Sequence, residues 1–321
     1  MPSKRRRGRR GRRRRTNPAR IVLTMALAVV ILVGVFVGLH KYEQSRYHTN
    51  RGETSEYFYE DTRIEVDGVE YKSKRDLTSI LLEGVSGSED SGRKVEMLIL
   101  FLLDHKQQEI RWMQLDPDTA LASGGVLRDA LPSEGDEKER AKALMATVED
   151  LLGAKIELYV SLDLDRIGVL NRALNGIDLT VGADYSAYDA AMTVGATMTL
   201  SDAQAELYMN PSIQLAGDTC TARMQRQQQF MLAALNALER EARKNTGVLN
   251  RFYEELSAIM VTNVRPARML KEAAWAYDYE RCQPELRPGA ESVSPDGETR
   301  FEPDAAQIQA WVLEVFYNRK Q

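Results

Sequence analysis

Cysteine and histidine are scarce in this 321-residue chain. Only Cys220, Cys282 and three histidines occur. Two cysteines cannot form a disulfide framework, although a single bridge and two free thiols both stay open for an exported domain. His40, His48 and His105 lie apart from the cysteines, and no cluster has the spacing of zinc ligands. The chain has no Gly-x-Ser-x-Gly elbow, no Gly-x4-Gly-Lys phosphate loop and no His-Glu-x-x-His helix, so the common hydrolase, nucleotide and zinc-protease signatures are missing. No repeat of 20–50 residues is visible. Positive charge is also scarce beyond the amino terminus. Residues 21–321 hold 32 Lys/Arg against 47 Asp/Glu, which excludes a whole-chain nucleic-acid binder. With 43% hydrophobic and 28% charged residues, collagen-like and wholly disordered classes are excluded too.

The positive charge is concentrated in residues 1–20, which carry 11 Lys/Arg and no acid. They flank Ile21 to Leu39, 19 residues without a charge. A helix of that length spans roughly 28 Å, close to the ~30 Å hydrocarbon core of a bilayer. A cleaved signal peptide has a shorter apolar core and a small-x-small site, whereas this run continues into Leu39-His40-Lys41-Tyr42. The expectation is a retained membrane anchor. Clustered Lys/Arg stay cytoplasmic, which leaves the rest of the chain outside the membrane. The expected organisation is a basic cytoplasmic tail over 1–20, a transmembrane helix over 21–39, a polar stalk over 40–61 and an extracytoplasmic domain over 62–321.

Within that domain, Ile64 to Tyr71 alternates around Asp67-Gly68, a hairpin signal. Thr78–Val85 and the nearly continuous apolar run Val95–Leu103 read as buried strands, with Ser86–Arg93 a loop between them. Glu109–Leu115 should return beside the second strand. Glu137–Leu152 has helical periodicity and stops at Gly153. A strand follows around Ile156–Leu162, then a helix capped by Asp165 and a strand over Ile177–Val181. Further helices are expected at Ala222–Arg243, Val248–Ile259, Pro266–Tyr277 and Asp304–Tyr317, the last with Asp304 as N-cap. Strands interleaved with helices give an α/β fold, one central mixed sheet with helices on both faces, preceded by the one transmembrane helix.

Two places carry candidate chemistry. Asp116-Pro117-Asp118 follows a strand, where paired carboxylates suit a Mg²⁺ ion, and where a plain Asp-capped, Pro-broken turn is the alternative. Arg223 and Gln227, at i and i+4, share a face at the start of a helix. A cation, an amide and backbone N–H groups there suit a pyrophosphate, and a solvated first turn is the alternative.

Around these residues the chain resembles the LytR-CpsA-Psr family of bacterial cell-envelope proteins. The resemblance runs through Val66–Tyr71, Ile80–Val85, Thr147–Gly153, Leu170–Leu179, Arg223–Gln228, Thr262-Asn263 and Phe301–Asp304, over about residues 62–318. It implies transfer of a glycopolymer from a polyprenyl-pyrophosphate lipid to peptidoglycan, outside the membrane and with Mg²⁺. The lipid tail is expected in an apolar pocket and the pyrophosphate in the grip of arginines. It casts Asp118 as catalytic residue and metal ligand, and Arg223 and Gln227 as pyrophosphate ligands. The chain departs from the pattern elsewhere. The family's Pro-Arg-Asp-Thr reads Asp116-Pro117-Asp118-Thr119, and its Val-Arg-Ser-Arg reads Met209-Asn210-Pro211-Ser212. Two family aspartates fall on Ser86 and on Lys94-Val95. Losing a single transition-state donor typically costs about 3–4 kcal/mol, and three arginines are missing. Lys94, Arg93 and Arg128 are candidate stand-ins. Two readings therefore stand, a working phosphotransferase and a catalytically degenerate homologue that binds a lipid-linked glycopolymer or an envelope partner as regulator or scaffold.

Overall fold

The structure, a computed structural model, describes residues 62–320 except 89–91, 211–212, 214, 217–218, 246, 266–267, 269–271, 273–278, 283–284, 286 and 294–298. The expected tail, membrane span and stalk lie outside the described residues. So do Pro211 and Ser212 and most of the helix expected over Pro266–Tyr277. Among the described residues, no helix is long and apolar enough to cross a membrane.

Two long strands form the centre, β3 (Leu77–Ser86) and β4 (Lys94–Asp104), and apart from Lys94 every residue in them is buried. Such strands need cover on both faces. β3 pairs antiparallel with β4, and β4 with β5 (Glu109–Leu115). On the other side β3 pairs in parallel with β6 (Leu158–Asp163), which pairs antiparallel with β9 (Met260–Thr262). With β10 (Glu280–Arg281) beside β5, the order is β10-β5-β4-β3-β6-β9. This is the expected central mixed sheet. A smaller sheet joins the hairpin β1 (Arg63–Val66) and β2 (Val69–Ser73) to the terminal strand β13 (Tyr317–Arg319). The pairs β7 (Asp178–Thr180) with β8 (Thr197–Thr199), and β11 (Gly289–Val293) with β12 (Thr299–Pro303), complete the strands.

Alternation along the central strands divides the core in two. Ile80, Leu82, Ile99, Phe101, Leu158 and Val160 face α2 (Gly168–Ala173), α3 (Asp202–Met209), α4 (Cys220–Lys244) and α5 (Gly247–Ser257). Leu81, Leu98, Leu100, Met113 and Tyr159 face α1 (Glu137–Leu152) and α6 (Ala305–Phe316). α1 begins in a reciprocal capping box between Asp136 and Glu139 and ends at Gly153, whose φ of 66° is left-handed. Asp304 caps α6 as expected, its carboxylate accepting the Gln307 N–H at 3.0 Å.

One expectation fails locally. Asp165 does not cap the helix after β6. Asp163 accepts the Asp165 N–H at 3.1 Å and opens a short 3₁₀ turn, while Asp165 instead accepts the Gly87 N–H at 2.6 Å. The helix itself shortens to Gly168–Ala173. A carboxylate that meets a backbone donor 78 positions away is used by the loop rather than by its own helix.

Candidate functional site

The site lies where β4 begins and β5 ends. β4 carries a bulge there: Val85 pairs with Val95 and Gly84 with Met97, leaving Glu96 as the extra residue. The strands approach closely, and a Cβ on Gly84 would lie 2.9 Å from Met97 Cβ. Bulges re-aim side chains, and this one gives a buried carboxylate, Glu96, a cationic partner. Arg128, from the 3₁₀ turn Leu127–Asp129, donates through Nη1 to Glu96 Oε2 and through Nε to Asp118 Oδ1, the latter at 2.8 Å. Burial raises the pKa of Glu96, against the pull of Arg128. Burial also opposes the charge on Arg128, but Asp118 and Glu96 outweigh it and keep the guanidinium firmly protonated.

Asp116-Pro117-Asp118 forms the polar turn that was the alternative to a metal site. The Asp116 carboxylate accepts the Asp118 N–H at 2.9 Å, and the Asp116 carbonyl accepts the Thr119 hydroxyl at 2.6 Å, which makes the polar turn. The same two carboxylates also gather cations. Arg223, in the first turns of α4, brings Nη2 to 3.6 Å from Asp118 Oδ2. Arg287 donates Nη1 to Asp116 Oδ2 and lies over the Phe301 ring at 4.8 Å. Cys220 Sγ donates to Asp116 Oδ1 at 2.8 Å. Burial first, and Asp116 second, push the Cys220 thiol up, so it stays protonated. Cys220 and Cys282 are both free thiols.

Asp118 and Arg223 thus come together as the sequence expected. Gln227 joins them differently. Its Nε2 donates to the Glu96 carbonyl at 3.0 Å, and only 2% of the residue is exposed, so its amide donor holds the bulge. α4 also starts earlier than expected, at Cys220 with Thr219 as cap. The Ala222 and Arg223 N–H groups are therefore already bonded to Thr219, at 3.1 and 3.0 Å. Asp116 was read with Asp118 as one of a carboxylate pair, whereas Glu96 and Arg287 escaped the sequence reading as site residues. Glu96 had a signal, a charge inside an apolar run. Arg287 had none, because it reaches Asp116 across 171 positions.

Asp116, Asp118 and Cys220 form the one group among the described residues whose ligand atoms lie within 4.8 Å of each other. The two carboxylates suit Mg²⁺, a hard ion that prefers oxygen, and the protonated thiol does not. Both carboxylates already have guanidinium partners, so an ion there shares or displaces Arg128, Arg223 or Arg287.

Residues 36–311 match the model of the LytR_cpsA_psr family. The chain belongs to this family. A curated member, polyisoprenyl-teichoic acid–peptidoglycan teichoic acid transferase TagV of Bacillus subtilis (strain 168), is 24% identical over 316 residues, covering 90% of this chain and 76% of TagV. The crystal structure of B. subtilis TagV superposes with a TM-score of 0.56 at 22% identity, covering 75% of this chain and 96% of that one. TagT bound to LI-WTA gives 0.56 at 15% identity, with 75% and 90% covered. Protein gbs0355 from Streptococcus agalactiae gives 0.58 at 20%, with 77% and 90% covered. At these identities the structures establish the LytR-CpsA-Psr fold.

Proposed function

We propose that this chain is a membrane-anchored, extracytoplasmic phosphotransferase that moves a glycopolymer from a polyprenyl-pyrophosphate carrier to peptidoglycan. The observation that carries this reading is the convergence of Arg128, Arg223 and Arg287 on the adjacent carboxylates Asp116 and Asp118. The family arginines are gone from the sequence, yet guanidinium groups stand at the same acidic turn, two of them from other positions. Arginine forks suit phosphate oxygens, and phosphoryl transfer depends mainly on positioning and charge neutralisation. In the reaction the acceptor oxygen bonds to the glycan-linked phosphorus, the bond to the bridging oxygen breaks, and polyprenyl phosphate leaves. Asp118 is the carboxylate available to take the acceptor proton or, with Asp116, to hold Mg²⁺. When bound, Mg²⁺ supplies positive charge against the pyrophosphate. The anchor is residues 21–39, with residues 1–20 in the cytoplasm.

A second reading has its own support. Every one of the three guanidinium groups already has a carboxylate, so the cluster is neutral without a ligand. Two cavities among the described residues hold about 70 and 20 Å³, and neither of these by itself takes a long isoprenoid. A degenerate homologue that binds lipid-linked glycopolymer or an envelope partner fits a cluster whose charges are already matched. The deciding experiment incubates the full-length protein in detergent with a polyprenyl-pyrophosphate glycan, Mg²⁺ and peptidoglycan, and follows the linked product. Turnover that disappears in Arg223→Ala sinks the degenerate reading. Donor binding with no turnover at any Mg²⁺ concentration sinks the transferase.

A further inference from the structure

An arginine-lined cleft opens at the same end of the central sheet, where β3 and β6 end and β9 begins. It is walled by Arg93, Glu137, Arg140, Ser161, Asp163 and Arg166, among others, and holds about 70 Å³. These residues come from three separate pieces of chain: the end of the β3–β4 loop, the first turn of α1, and the end of β6 with the 3₁₀ turn that follows it. None belongs to the cluster around Asp118. Among the lining side chains three guanidinium groups outnumber two carboxylates, with Asp165 beside Asp163. Backbone oxygens and one ion pair brace the arginines. Arg93 Nη2 donates to Glu137 at 2.9 Å, Arg140 Nη2 to the Ser133 carbonyl at 3.2 Å, and Arg166 Nη1 to the Ala258 carbonyl at 3.0 Å.

The floor of the cleft has an unusual neighbour. Glu83 pairs in register with Ser161 and is fully buried. Burial raises its pKa to about 8, with only the Ser161 hydroxyl working against that, so the group is neutral at pH 7. A neutral acid there puts no negative charge under the arginines.

We infer that the Arg93–Arg140–Arg166 cleft binds an oxyanion carried further along the glycan chain of the same donor, one or more repeat units beyond the pyrophosphate. The two sites share that end of the sheet, and three strand spacings separate β5 from β6. At about 4.8 Å each that is roughly 14 Å, a distance a chain of linked sugars or polyol phosphates spans. This rests on the transferase or binding reading of the Asp118 site, since it supplies the first unit. Guanidinium forks read phosphate and carboxylate alike, and the probes separate the sources.

The test titrates the full-length protein in detergent with a glycerol-phosphate hexamer, inorganic phosphate and muramyl dipeptide, by calorimetry. The expected result is hexamer binding that weakens tenfold or more in the double variant Arg140→Gln/Arg166→Gln and weakens with added salt. Arg140→Lys/Arg166→Lys should recover part of it, which separates lost charge from lost folding. Arg223→Ala should leave that dependence on the cleft arginines intact. Hexamer binding unchanged in the double glutamine variant overturns the inference, as does muramyl dipeptide binding that alone depends on the cleft arginines and marks an acceptor site instead. Hexamer binding without turnover would count against the transferase only; turnover with hexamer binding indifferent to Arg140 and Arg166 would count against the cleft only.

Discussion

Glu83 and Glu96 are both glutamates buried in the central sheet, and they solve the same electrostatic problem in opposite ways. Glu96 has Arg128 against it and is 4% exposed. Removing one partner of a buried ion pair strands the other, at about 3–5 kcal/mol. Arg128→Ala is therefore expected to destabilise the protein by about that much in urea unfolding, whereas Arg128→Ala/Glu96→Gln should recover a large part. Glu83 has no cation and keeps its proton. Its folded-state pKa of about 8 lies above the ordinary 4.5, so between those values the folded state holds a proton that the unfolded state has released. Stability is fully favoured below about pH 4.5 and falls as pH rises towards 8, by at most roughly 5 kcal/mol. Glu83→Gln should flatten that slope in unfolding experiments at pH 5 and pH 8. Arg223 is less entangled, with one ion pair at 3.6 Å. Arg223→Ala should lower turnover by roughly 10²–10³ and leave the melting temperature nearly unchanged.

At the scale of elements, local chemistry was legible wherever the chain settles its own boundaries. α1 was read with both ends in place from its periodicity and from Gly153, and the structure adds the reciprocal cap between Asp136 and Glu139 at its start. Gly153→Ala is expected to cost about 1 kcal/mol in thermal unfolding, because a Cβ disfavours the left-handed conformation. β4 was legible because a strand buried on both faces must be apolar throughout, and Leu100→Ala at its centre should cost about 2–5 kcal/mol. The failures have the opposite character. Asp165 looked like a cap, but the Gly87 N–H competes for its carboxylate and wins. The bulge at Glu96 is set by how β3 and β4 align, and no pattern within β4 alone encodes that register.

The whole molecule adds location and assembly of the site. If residues 21–39 anchor the chain, their deletion should move it from the membrane to the soluble fraction. Protease added outside intact cell membranes should then digest the domain over 62–320 and spare the basic tail, and protection of that domain would contradict the orientation. By itself the sequence determined the central sheet with its covered faces, and the order of its motifs carried the resemblance to the family, which put Asp118 and Arg223 in one site and left three of the family's arginines missing. These follow from hydrophobic periodicity, caps and residue order, which act over a few positions. Only the tertiary structure decided that Arg128 and Arg287 stand beside the acidic turn, that Gln227 braces β4, and that Arg93, Arg140 and Arg166 share a cleft. A guanidinium on a long side chain finds its carboxylate through space, across 171 positions for Arg287 and Asp116, and the pairing is fixed by packing rather than by any local preference of the residue.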